Sequence, residues 1–348
     1  MDYGVLKIMN HKCLLIASGT SGHILPTIEV AKKLLTDGYD VFWIGYGYDQ
    51  EFIDHSKFFH INVQTKSPRN FSRLLSKKFY LNLFSDIFKI NNILKNNKFD
   101  FIICAGGFVC LIPAMLAFIK RNNIFIYEQN VILGLTNKFI SFFAKDYFYG
   151  LPPINNDEAS HYVGQPLRQD IVNLFLNKRE KQLLILGGSL GASFFNKDLV
   201  RIFKGIHDLI NFKIIHIAGL NHDLIEVIEE YKKIGLSPTV YSYFPEIYKL
   251  YESSTHVISR AGAMTIAELN YLELQTLLIP IPHSAGNHQL KNAKTFEKYQ
   301  NFSCVEQADL SKDDIINFIS KPCHNSNNSI RNKNPEQEII NRCLNHVN

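Results

Sequence analysis

Short apolar-rich runs recur along the chain, separated by longer stretches in which polar and apolar residues mix. The runs at residues 13–17 (CLLIA), 41–45, 101–104, 124–127, 183–186, 213–218, 256–259 and 276–280 have the length and composition of β-strands. Helix-like segments such as 26–36, 223–233 and 287–298 lie between them. Strands that alternate with helices of this length predict βαβ units, and hence parallel sheets covered by helices on both faces.

One run needs separate treatment. Residues 101–119 (FIICAGGFVCLIPAMLAFI) carry no charge and have the length of a membrane span. Gly106-Gly107 and Pro113 interrupt the run, so the pattern reads instead as strand, glycine turn and buried helix. The stretch 150–164 (GLPPINNDEASHYVG) has no periodicity, is rich in Pro, Asn and charge, and separates two series of strand-helix units. It marks the edge of an interdomain linker. Two Rossmann-like halves follow, at 1–163 and 164–334, with a polar loop near 322–334 and a last short helix from Pro335.

The glycine loops add chemistry to this frame. Ser18-Gly19-Thr20-Ser21-Gly22-His23 follows the first strand and precedes a helix-like segment opened by Pro26; Gly106-Gly107 follows Cys104; Gly187-Gly188-Ser189-Leu190-Gly191-Ala192 follows the strand at 183–186. Backbone amides at a helix N-terminus point at whatever sits there, and the helix dipole favours an anion such as a diphosphate. A plain strand-to-helix turn is the simpler explanation of any one loop. Three loops favour a ligand crevice at the strand ends. Neither the first nor the third loop carries G-x-G-x-x-G, and the next strand, which ends VFWIGYG, has no carboxylate at its tip, which argues against a nicotinamide dinucleotide.

Composition narrows the classes further. With 348 residues and 46% hydrophobic content, the chain can build two cores. Its net charge of +5 is spread along the sequence and demands no nucleic-acid partner. Six cysteines at irregular spacings, without a CxxC pair, suit a reducing cytoplasm. The first residues (MDYGVLKIMNHK) show neither a long apolar stretch nor a small-residue cleavage site, so export is not expected.

The segments SGTSGHILPTIEVAKKL, CAGGFVCLIPAMLA, YEQNVILGLTNKFIS, VGQPLR, LILGGSLGASFFN, SRAGAMTIAEL and NHQLKNA, in this order between positions 18 and 293, resemble the successive signatures of the MurG family of peptidoglycan N-acetylglucosaminyltransferases. The resemblance implies a GT-B fold, with two Rossmann-like domains facing across a cleft and the final helix (335–348) returning to the first. It implies transfer of N-acetylglucosamine from UDP-N-acetylglucosamine to lipid I, giving lipid II, without a cofactor. By the same resemblance Gly188, Ser189 and Gly191 receive the donor diphosphate, Arg168 lies near it, and Glu268, after Ala263-Met264-Thr265, holds the ribose. Gln289 with His288, and Asn130 from the first domain, meet the sugar. Phe244 offers main chain to the uracil edge, and Thr20, Ser21 and Gly22 complete the donor loops.

His23 matches the family's candidate base. A histidine just past a glycine loop can lie at a helix N-terminus, where the dipole favours the neutral, proton-accepting ring. The alternative is a ring that merely bonds the loop. Ser18 and Ser21 stand where the family usually has glycine, and serine tolerates positive φ poorly. Likewise, Arg168 has a surface ion pair as its bland explanation, and Glu268 a solvated helix face. No D-x-D pair occurs in the chain, which favours leaving-group stabilisation by backbone amides over a bound metal. Another lipid acceptor, a GT-B sugar-nucleotide epimerase and a non-catalytic scaffold stay open as alternatives. Finally, residues 66–89 interleave Lys66, Arg69, Arg73, Lys77, Lys78 and Lys89 with Leu74, Leu75, Phe79, Leu83, Phe84 and Phe88. That pattern suits either the anionic inner leaflet of the cytoplasmic membrane or a core-facing amphipathic helix.

Overall fold

The structure, a computed structural model, describes residues 11–19, 21–46, 57–67, 76–174, 180–188, 190–322 and 334–347. Among these the chain forms two compact units, Met1–Pro166 with Asn332–Asn348, and Leu167–Arg331. Each contains one six-stranded parallel sheet.

In the first unit the strands are β1 (Lys12–Ile16), β2 (Asp40–Tyr46), β3 (Phe59–Val63), β4 (Phe101–Cys104), β5 (Ile124–Glu128) and β6 (Asp146–Tyr149), in the spatial order 3-2-1-4-5-6. Its helices are α1 (Ser21–Thr36), α2 (Lys77–Asn96), α3 (Leu111–Ile119) and α4 (Leu135–Ile140). The inner strands are apolar without alternation because both faces are covered. Thus Cys13 and Leu15 of β1 join one core with Ile24 and Ala31 of α1, while Leu14 and Ile16 join the other with Ile90 of α2 and Ala114 of α3. Burial of each large aliphatic side chain contributes about 1.5–3 kcal/mol.

The second unit repeats the topology. Its strands are β7 (Gln182–Leu186), β8 (Lys213–Ile217), β9 (Thr239–Tyr241), β10 (His256–Ser259), β11 (Gln275–Leu278) and β12 (Phe302–Cys304), ordered 12-11-10-7-8-9. Its helices include α5 (Leu224–Lys232), α6 (Ile247–Ser253), α7 (Ala263–Tyr271), α8 (His288–Phe296) and α9 (Lys312–Ser320). The last helix, α10 (Pro335–Asn345), has Pro335 in its first turn. It buries Ile339, Ile340 and Cys343 in the core of the first unit, beside α1.

Three expectations change. The first helix opens at Ser21 and not at Pro26, which lies inside it. A proline there removes only the bond to the Gly22 carbonyl, near the end where helical bonding begins, so a mid-helix break does not follow. Neither Ser18 nor Ser21 needs positive φ; among the described residues of this loop Gly19 alone takes it, at 110°. The stretch 150–164 runs up to the division between the units, which falls after Pro166; at its end Val163 is fully buried and donates to the Tyr149 carbonyl. And α3 is not wholly buried, since Met115, Phe118 and Ile119 are exposed.

Candidate active site

In a doubly wound sheet, ligands bind where the strand order reverses. In the first unit that point lies between β1 and β4, and the loops after them meet there: a Cβ on Gly107 would come within 3.2 Å of the Ser18 carbonyl oxygen. His23 stands in the first turn of α1, half-buried. Its Nδ1 lies 2.6 Å from Gln129 Oε1, just past β5. Gln129 is buried, and its Nε2 donates to the Ala105 carbonyl at 2.9 Å. The imidazole fills the space above Gly106, where a Cβ would sit 3.0 Å from His23 Cε1. Glu128, also buried, accepts from the Asn130 backbone and side chain and from Gly134 N and Asn137 Nδ2, and so fixes the loop that carries Asn130.

The corresponding point of the second unit lies between β7 and β10. Gly188 has φ of 97°, and a Cβ there would meet nothing, so this side of the loop is open. Gly191 and Gly219 bring the turns after β7 and β8 together backbone to backbone; a Cβ on Gly219 would fall 2.1 Å from Gly191 N. After β10, Gly262 caps α7, and Ala263, Met264 and Thr265 form its first turn, whose amides precede the helix's own bonding.

Glu268, one turn on, is buried rather than solvated. It meets Arg168 Nη2 at 3.4 Å and accepts from Tyr251 Oη at 3.0 Å. Burial pushes its carboxyl above the usual range, against the pull of Arg168 and Tyr251. The Arg168 pair is therefore no surface ion pair, and Arg168 Nε is itself buried without a partner. At the start of α8, Gln289 Oε1 accepts from Ile281 N at 3.0 Å, which leaves its amide N–H groups as what it can offer a ligand. Asn292, on the same helix, donates to the Ala261 carbonyl and ties α8 to the turn before α7. His288 is half-buried beside Gln289, and Phe244 packs on the Tyr241 ring at 5.1 Å.

The structure thus joins Arg168 with Glu268, sets Ala263, Met264 and Thr265 on the helix that carries Glu268, and places His23 beside the strand end that leads to Asn130. Thr20 and Ser189 lie outside the described residues. Sequence reading missed Gln129, Glu128 and Tyr251. It also missed Arg260, whose buried guanidinium donates to the carbonyls of Ile279 and Pro280 and to Gln307 and stacks on Phe195. Gln129, Tyr251 and Arg260 find partners 106, 17 and 19 residues away, so no local motif announces them; Glu128 bonds within its own loop, and the one available signal was the unexplained Glu-Gln pair in YEQN.

Comparison with known proteins matches the two halves of the chain to two domains of one family. The glycosyltransferase family 28 N-terminal domain matches residues 13–149, and the family 28 C-terminal domain matches residues 182–343. A relative from Rickettsia felis, named UDP-N-acetylglucosamine--N-acetylmuramyl-(pentapeptide) pyrophosphoryl-undecaprenol N-acetylglucosamine transferase, is 31% identical over 336 residues, covering 89% of this chain and 91% of the relative. The chain belongs to the MurG family. A second MurG-family relative of the same name, from Psychromonas ingrahamii, is 28% identical over 328 residues and covers 89% of each chain. The crystal structure of Acinetobacter baumannii MurG superposes with a TM-score of 0.71 at 20% identity, over 97% of this chain and 95% of that one, which establishes the GT-B fold. As a MurG-family member the chain is a glycosyltransferase.

Proposed function

We propose that this chain transfers N-acetylglucosamine from UDP-N-acetylglucosamine to the muramoyl 4-hydroxyl of lipid I, giving lipid II. The observation that carries the reading is His23, half-buried in the first turn of α1 with its ring held by Gln129 and Gly106. His23 takes the proton of the attacking hydroxyl, the new carbon–oxygen bond forms at the anomeric carbon with inversion, and the bond to UDP breaks with its electron pair going to the diphosphate. Gly188 and the first-turn amides of α7 supply donors for the charge that develops there. Arg168 turns from Glu268 toward the diphosphate, and the freed carboxylate accepts from the ribose hydroxyls. Gln289 donates to a sugar hydroxyl. His23→Ala should lower kcat by about 10²–10⁴-fold, as expected for loss of a general base, with UDP binding unchanged. Near-normal turnover with weakened UDP binding would instead make His23 a donor-loop residue.

The acceptor is a membrane lipid on this reading, and the first unit has a surface suited to it. No helix among the described residues is long and apolar enough to cross a membrane. Yet α2 turns Phe84 and Phe88 outward, 67% and 72% exposed, while its buried side is Asp86, Ile90 and Leu94. The neighbouring α3 and α4 expose Phe118, Ile119 and Phe139, and Phe142 follows at 81%. The carboxylates of 77–96 and 101–145 are Asp86 and Glu128, and both are buried, so the charges left on this surface are basic: Lys77, Lys78, Lys89, Arg121 and Lys138. Exposed aromatics among unopposed cations favour peripheral binding to the anionic inner leaflet over a core-facing role. Residues 68–75 of the expected segment lie outside the described residues.

A further inference from the structure

The geometry points to Gln129 as a positioning residue that fixes which nitrogen of His23 carries the proton. This rests on the reading of His23 as the base. A side-chain amide looks alike from either end, but its surroundings here distinguish the ends. Nε2 of Gln129 faces the carbonyl oxygens of Ala105 at 2.9 Å and Tyr127 at 3.4 Å, which can only accept. The amide nitrogen must therefore point to them, and Oε1 is the atom that meets His23 Nδ1 at 2.6 Å. An amide oxygen cannot donate, so Nδ1 carries the hydrogen of the neutral ring and Nε2 keeps its lone pair.

Several further contacts hold the arrangement. Gln129 is 1% exposed, so its amide is held by protein groups and not shared with bulk water. A Cβ at position 106 would crowd the ring, 3.0 Å from Cε1 and 3.1 Å from Nδ1, so glycine there leaves the room the imidazole needs. Thr27 Oγ1 donates to the His23 carbonyl at 2.7 Å and secures the turn that carries the ring. The consequence is a base whose accepting atom is Nε2 before any substrate arrives, and whose partner is a neutral amide rather than a carboxylate. A neutral partner orients the imidazole through the hydrogen bond alone, without placing a charge beside it.

The first test needs no turnover. In the full chain carrying ¹⁵N-labelled histidine, the signals of His23, identified among the 13 histidines by their loss in His23→Ala, should report the Nδ1–H tautomer of the neutral ring. A neutral ring protonated on Nε2 would overturn the inference whatever the enzyme's activity. In Gln129→Leu the tautomer preference should fade and kcat should fall by roughly 10–100-fold, as when a group that orients a histidine is lost, with KM for UDP-N-acetylglucosamine little changed. Gln129→Glu keeps an acceptor and adds charge, so it should retain the tautomer, recover turnover at high pH, and move the acid limb of the pH–kcat profile upward by about one unit or more. An unmoved limb with a folded variant would contradict the orienting contact. Should His23→Ala keep full turnover while the Nδ1–H tautomer is observed, the base assignment fails and the contact stands.

Discussion

At the scale of single residues, what decides the site is where space is withheld. Gly106 has φ of 96°, a region that costs an L-residue roughly 1–2 kcal/mol, and its missing Cβ is the room the His23 ring occupies. Gly106→Ala should therefore both strain the loop and push the imidazole, lowering kcat by roughly 10–100-fold because small displacements of a reacting group are costly. UDP affinity, which the proposed function assigns to the second unit, should stay constant; unchanged kcat would show that the ring is not pinned against this loop. None of this was legible locally. CAGG read as one more anion loop, whereas the structure uses its first glycine to seat a histidine from another element. His23, Glu268 and Arg168 could be picked from motifs, but Gln129 is recognisable only once residues 106 positions apart are brought together.

At the scale of elements, the buried histidine of β8 makes a testable point about the second sheet. His216 is fully buried between the neighbouring strands and meets Tyr231 Oη at 3.0 Å. Burial, with a smaller push from His222, lowers it from the ordinary 6.5 to about 3. The folded state therefore holds it neutral while the unfolded chain takes up a proton. The stability this gives is present above about pH 6.5 and is lost as pH falls toward 3, at up to about 1.4 kcal/mol per pH unit. Thermal unfolding of His216→Leu should show a shallower acid slope than the parent chain; parallel slopes would mean that His216 is protonated in the fold. The strands themselves show what sequence can carry. The eight inner strands appear as apolar runs because both their faces are covered. The four that gave no run, β3, β6, β9 and β12, are the four sheet edges, with partly exposed patterns such as that of β9. An edge strand need not be apolar, so its pairing is fixed by the neighbouring strand rather than by its own composition.

At the scale of the whole molecule, the proposed function assigns donor binding to the second unit and both the base and the exposed aromatic surface to the first. Binding to vesicles should rise with anionic lipid and weaken with salt, as screened attraction requires. Replacing Phe84 and Phe88 with Ser and Lys77-Lys78 with Gln should release the protein while leaving UDP binding intact; unchanged co-sedimentation would remove α2 from the membrane contact. The most direct test of the central claim is the fate of the sugar itself. Purified protein supplied with ¹³C-labelled UDP-N-acetylglucosamine and lipid I, with chelator present, should yield a single lipid-linked product. NMR should show the label bonded to the muramoyl 4-oxygen with anomeric configuration opposite to that in the sugar nucleotide. Retained configuration, activity that returns only with Mg²⁺, or label recovered as an epimerised sugar nucleotide would contradict the account.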